Sequence, residues 1–175
     1  MNDPTAPTPL ATTIVDSPIG PLTLVASDAG LRAVLWPDER TGRVPLDGPS
    51  RDDPGHPVLA IAATQFDEWF RGERTRFDLP LDPVGTDFQR RVWTALTAID
   101  FGETSTYGAV AEVVTGDRGR ARAVGAAIGR NPLSIVVPCH RVVGADGSLT
   151  GFAGGLDVKR RLLDHEAGEA ALPFP

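Results

Sequence analysis

Apolar and polar positions alternate in short blocks through the first part of the chain. TTIVDSPIGPLTLVASDAGLRAVLW breaks into apolar runs separated by SPIG and SDAG, both turn-forming sequences. This pattern predicts strands near 12–16, 21–27 and 30–36 of a small antiparallel sheet. From 37 to 57 the chain is polar and rich in Gly, Pro and Asp, so it predicts a surface loop without a functional reading. Over 57–70 the period changes. Leu59, Ala62, Phe66, Trp69 and Phe70 recur at helical spacing and predict an amphipathic helix. TRFDLPLD then predicts a short edge strand stopped by proline.

The second half carries helical periods. TDFQRRVWTALTAI places Phe88, Val92, Trp93, Leu96 and Ile99 on one face, with Thr86 as N-cap. A short helix near 107–114 is ended by Gly116, and a second, within RGRARAVGAAIGRNP, is closed by Gly129, Asn131 and Pro132. Two short helices joined by a tight turn predict a helix-turn-helix. The chain is therefore expected to be α+β: a disordered tail over 1–11, a sheet domain over 12–83, and a mainly helical domain over 84–175. A last helix lies in GGLDVKRRLLDHEAG.

With 175 residues there is room for one large domain or two small ones. No apolar stretch approaches the roughly 18 residues of a membrane span. The start, MNDPTAPTPLAT, lacks the basic and apolar segments of a signal peptide. A single cysteine excludes an internal disulfide and a thiolate-rich metal site, so a cytoplasmic protein without bound metal or cofactor is expected. The net charge of -6 argues weakly against nucleic acid. Its distribution changes that picture. Between Arg118 and Ala145 stand Arg118, Arg120, Arg122, Arg130 and Arg141 without one acid. The second helix of the pair offers small residues, Ala121, Ala123, Gly125 and Ala126, around Arg122. A major-groove reader usually presents large polar side chains, whereas small ones allow the close approach that a minor groove needs.

The lone cysteine lies in IVVPCHRVV. Pro138 restricts Val137 to extended backbone, so Cys139 is expected on a rigid extended segment. On a strand, Cys139 and His140 would point to opposite sides and meet only through a water or a chain turn. A nucleophilic thiol needs a base, and the base an orienting carboxylate. His140 is the nearest histidine. For the carboxylate, the spacing leaves Glu166, Asp164 and Glu169 open.

PCHRV, the following GFAGGLDVKRRLLDHEAG, the preceding RAVG, and FQRRVWTAL with FGETSTYG together resemble the O6-alkylguanine-DNA alkyltransferase family over about 85–168. DSPIGPLTL is similar to the family's N-terminal sheet domain, which implies a ribonuclease H-like arrangement. The resemblance implies stoichiometric transfer of an alkyl group from O6 of guanine in double-stranded DNA to Cys139. His140 would activate the thiol through a water, Glu166 would orient His140, and Asn131 would fix the turn carrying the site. Tyr107 would rotate the phosphate and bind the flipped base. Main-chain carbonyls of Cys139 and Val142 would bind the base amine, and Phe152 and the Ala153 amide would face the base. Arg122 would fill the gap in the stack, with Thr86, Ala121, Ala123, Gly125 and Arg130 as further minor-groove contacts. A monomer is implied; O4-alkylthymine as a second substrate and cooperative binding are left open.

Three features depart from the family pattern. Phe152 and Ala153 stand where many relatives have a tyrosine and another small residue. TGDRGRARAVG is one residue longer than the usual turn. The N-terminal cysteines that bind structural zinc in some relatives are missing. Two other functions compete with transfer, a lesion sensor without chemistry and a cysteine-dependent hydrolase. A sequence-reading transcription factor is disfavoured by the small residues of the second helix.

Overall fold

Residues 9–169 are described by a computed structural model. Three apolar strands start it: β1 (Leu10–Val15), β2 (Leu22–Ser27) and β3 (Gly30–Leu35). They form an antiparallel meander, with Thr13 opposite Leu24 and Val25 opposite Ala33. The tail expected over 1–11 ends earlier, because Leu10 and Ala11 are buried in β1; residues 1–8 lie outside the described residues. The sheet is mixed, not purely antiparallel. β4 (Ser50–Asp52) pairs parallel with β1 inside the segment expected to be a plain loop, and gives the order β3-β2-β1-β4. All three of its residues are exposed, so no apolar alternation could announce it.

Helix α1 (Pro57–Phe70) opens with proline at its first position, where no backbone N–H is needed. It buries Leu59, Ala62, Phe66 and Trp69 against the sheet. TRFDLPLD does not form the expected strand. Pro80 interrupts it and Pro83 follows it directly, and only a parallel bridge between Leu31 and Leu81 remains.

Helix α2 (Asp87–Leu96) starts with a capping box. Thr86 Oγ1 accepts from the Gln89 amide at 3.2 Å, and Gln89 Oε1 accepts from the Thr86 amide at 2.9 Å. Its apolar face, Val92, Trp93 and Leu96, is buried, and Trp93 Nε1 donates to the Ala127 carbonyl at 2.8 Å. Helix α3 (Tyr107–Thr115) is capped by Thr106 and ended by Gly116 in the left-handed conformation. A single 3₁₀ turn at Arg118–Arg120, capped by Asp117, leads into α4 (Ala121–Ile128). This is the expected helix-turn-helix. Helix α5 (Leu156–Ala167) closes the described chain.

One apolar core runs through both halves, from Leu22, Leu24 and Trp69 to Val92, Val124, Leu133 and Leu162. The join is also hydrogen-bonded. The Val34 amide at the edge of the sheet donates to the Pro132 carbonyl at 2.8 Å, and Val34 bridges Leu133. The segment that leads to the cysteine is therefore fastened to the sheet of the first half.

Candidate active site

Cys139 does not lie on extended backbone. After Pro138 the chain turns, and Cys139–Arg141 form a 3₁₀ turn, closed by the Val142 amide donating to the Cys139 carbonyl. The cause lies upstream. Ile135 is buried with φ 75, a left-handed backbone that a β-branched residue rarely adopts. Asn131 braces this stretch from within: its Nδ2 donates to the Val137 carbonyl at 2.9 Å and its Oδ1 accepts from the Leu133 amide at 3.0 Å. This side-chain brace and the tie of Pro132 and Leu133 to Val34 hold a turn that the proline alone does not announce. A short parallel ladder joins β5 (Ser105–Thr106) to β6 (Val142–Val143). It brings the start of α3, and so Tyr107, beside the cysteine turn.

His140 is fully buried. Its Nε2 lies 2.7 Å from Oε1 of Glu166, which α5 supplies. Of the three carboxylates left open by spacing, Glu166 is the one brought to the histidine. Arg141 grips the same carboxylate, Nε at 2.8 Å from Oε2 and Nη2 at 2.8 Å from Oε1, and the Gly102 amide donates to Oε2 at 3.2 Å. Arg141 is thus buried and paired, not part of an exposed basic stretch. Burial alone would raise the Glu166 carboxyl, but the hydrogen bonds and charges of His140 and Arg141 prevail and hold it at about 2. Burial lowers His140 below its ordinary value, against the pull of Glu166. An ionised carboxylate only accepts, so Nε2 carries the proton and Nδ1 keeps its lone pair. Nδ1 is buried and has no partner among the described residues. The Cys139 thiol is pushed up by burial, against the Asn131 side chain and the charges of Arg43 and Lys159. The resting sulfur is therefore a protonated thiol beside a neutral base.

Cys139 lines a cavity of about 570 Å³ with Tyr107, Gly125, Ser134, Phe152 and Ala153, and with Arg40 and Arg43 from the first half. Among these described lining residues Val142 is not found; it is buried in β6. The Tyr107 hydroxyl donates to the Thr150 carbonyl at 3.2 Å and accepts from Thr150 Oγ1 at 3.1 Å. Gly125 faces the Tyr107 ring: a Cβ there would lie 3.5 Å from it. Arg122 and Ala123 are exposed on α4, Ala121 is half-buried, and Thr86 spends its hydroxyl on the cap of α2. Arg130 donates to the Gly42 carbonyl at 2.9 Å. Arg118, Arg120 and Arg122 are exposed and form no salt bridge among the described residues.

Two groups at the site escaped the sequence reading. Lys159 is fully buried on α5, and its Nζ donates to the Thr150 carbonyl at 3.0 Å and lies 5.8 Å from the Tyr107 ring centre. Burial lowers its ammonium, against the attraction of Cys139. Arg43 is buried, paired with Glu39, and donates to the Asn131 carbonyl at 2.5 Å. The i,i+4 spacing of Glu39 and Arg43 was the one available signal, and it gives no hint of the Asn131 contact.

Fold and site together define a protein with a buried cysteine at a cavity, an adjoining histidine–glutamate pair and a helix-turn-helix. Two family models match the chain: "6-O-methylguanine DNA methyltransferase, ribonuclease-like domain" over residues 10–83, and the "DNA binding domain" of the same family over 87–168. A methylated-DNA–protein-cysteine methyltransferase of Mycobacterium tuberculosis is 47% identical over 161 residues, 89% of this chain and 92% of that protein. One of Methanosarcina acetivorans is 44% identical, covering 87% and 96%. The crystal structure of M. tuberculosis OGT in complex with DNA superposes with a TM-score of 0.85 at 45% identity, covering 93% of this chain and 96% of that one. The chain belongs to the methylated-DNA–protein-cysteine methyltransferase family.

Proposed function

We propose that this protein repairs DNA by direct reversal, moving the alkyl group from O6 of guanine onto Cys139 once per molecule. The observation that carries the reading is the buried Cys139 at the cavity wall, next to a histidine whose Nε2 is fixed by Glu166 and whose Nδ1 has no partner among the described residues. The S–H proton passes to His140 Nδ1 through a water. Sulfur attacks the alkyl carbon, the bond from carbon to O6 breaks, and its electron pair leaves with the guanine, which takes up one proton. The product thioether has no carbonyl for water to attack, so the protein is spent.

The lesion reaches the thiol only outside the helical stack, and base flipping supplies that position. Tyr107 and the Ala153 amide bind the extruded base, the carbonyls of Cys139 and Val142 take its amine, and Phe152 forms the apolar wall. Arg122 occupies the vacated place in the stack, and the small, exposed surface of α4 supports entry into the minor groove. Asn131 keeps the cysteine turn in place, and Arg130 and Thr86 flank the duplex.

The test is intact-protein mass spectrometry after incubation with excess duplex containing O6-methylguanine, followed by peptide mapping. One added methylene on the peptide holding Cys139, saturating at one per protein, is the expected result. Tight lesion binding without an adduct would make the protein a sensor. Product in excess over protein would make it a hydrolase.

A further inference from the structure

The geometry points to Trp36 as a specificity-determining residue that limits the size of the alkyl group transferred; this rests on the transfer reading above. Phe152 forms part of the cavity wall near Cys139. A residue of the other half of the molecule, which is not among the described lining residues of the cavity, packs against this ring. The Trp36 ring packs edge-on against Phe152, centres 5.5 Å apart at 66°. Trp36 itself is 5% exposed and belongs to the common core. The chain beyond Phe152 lies flat on the same indole. A Cβ at Gly154 would come within 3.0 Å of three indole carbons, so only glycine permits this approach.

Trp36 is held firmly. Its amide donates to Glu39 Oε2 at 3.1 Å, Glu39 is paired with Arg43, and Arg43 bonds the Asn131 carbonyl. Lys159 holds the same segment by donating to the Thr150 carbonyl at 3.0 Å, with its Nζ 6.0 Å from the Phe152 ring centre. The segment 150–154 is thus held by a lysine and a tryptophan. With the indole packed against it, Phe152 has little room to shift when a bulky group enters. Removing the indole opens space beside the ring and lets the wall shift. The Trp36 Nε1 has no partner among the described residues, so replacing tryptophan by phenylalanine strands no acceptor.

The experiment measures single-turnover transfer to Cys139 by intact mass, from the same duplex carrying either O6-methylguanine or O6-benzylguanine. Trp36→Ala is expected to raise the benzyl-to-methyl rate ratio roughly tenfold, the scale on which apolar pockets discriminate size. Trp36→Phe, which keeps a ring against Phe152, is expected to stay within about threefold of wild type. An unchanged ratio in Trp36→Ala, with both rates falling together, would overturn the inference and leave Trp36 as plain core. If Trp36→Ala does not fold by circular dichroism, Trp36→Leu is judged by the same criterion. Failure of the wild-type protein to take up methyl from the first duplex would instead sink the transfer reading itself.

Discussion

The Nε2 atom of His140 lies 2.7 Å from Oε1 of Glu166, with both side chains buried and Arg141 closing the far side of the carboxylate. This contact fixes which imidazole nitrogen carries the proton and which keeps its lone pair. Glu166→Gln keeps the shape but can present an amide donor to Nε2, which then has to be the unprotonated nitrogen. Single-turnover transfer from an O6-methylguanine duplex is expected to slow by about a hundredfold or more. A rate within a few-fold of wild type would show that His140 is not the base.

The same pair sets the acid limit of the fold. The Glu166 carboxyl is held at about 2 in the folded protein against an ordinary 4.5. A depressed carboxyl contributes stability above 4.5 that is lost as pH falls toward 2. His140, lowered from 6.5, adds a loss that begins below its ordinary value, because the unfolded chain binds that proton first. For both groups the unfolded state holds more protons, so stability falls on acidification. The Glu166 contribution is about 3 kcal/mol. Urea midpoints at pH 7.5, 5.5 and 4 should decrease in that order, about these ordinary values. Glu166→Gln should flatten the part of the profile below pH 4.5.

Burial keeps the Cys139 thiol protonated, so its reactivity comes from substrate placement and not from a standing thiolate. Iodoacetamide is expected to label Cys139 at neutral pH more slowly in the folded protein than in urea. Faster labelling of the folded form would contradict this account of the resting site.

Asn131 satisfies the Val137 carbonyl and the Leu133 amide from a buried position. Asn131→Ala leaves both groups without that partner and the left-handed Ile135 without its brace. The expected loss is about 3 kcal/mol of stability, read from chemical denaturation. Transfer should fall more than the folded fraction does, since the turn holds the nucleophile.

Cys139→Ser is expected to abolish transfer and retain binding to an alkylated duplex. Arg122→Ala removes an exposed side chain of α4 that has no salt bridge among the described residues. It should reduce the preference for alkylated over normal duplex more than it reduces binding to normal duplex, as measured by anisotropy titration at fixed salt. Equal losses on both duplexes would make Arg122 a simple phosphate contact.

The elements with strong local signals were legible in the sequence. Thr86 announces α2, Gly116 ends α3, and the apolar period of 57–70 matches α1. The cysteine turn was not legible, because the positive φ of buried Ile135 runs against the preference of a β-branched residue, and the Asn131 bonds that flank it leave no pattern in the sequence. Arg141 looked like one arginine of an exposed group. Its partner Glu166 stands 25 positions away, and only the packing of α5 brings them together. Lys159, Arg43 and Trp36 escaped for the same reason: each meets a residue of the site that is distant in sequence, Tyr107, Asn131 and Phe152 respectively. β4 is exposed throughout and carried no pattern to read.

The bond from the Val34 amide to the Pro132 carbonyl, and the core that surrounds it, bear on how such a molecule tolerates change. The two halves match separate family models, yet they are poor candidates for exchange between relatives. A chimera that imported the helical half alone would carry the thiol, its histidine and its carboxylate. It would leave behind the indole packed against Phe152, the Trp69 ring facing His140 at 6.3 Å, and the guanidinium that steadies Asn131. Drift within the sheet half is therefore drift within the transfer site, and the two have to change together.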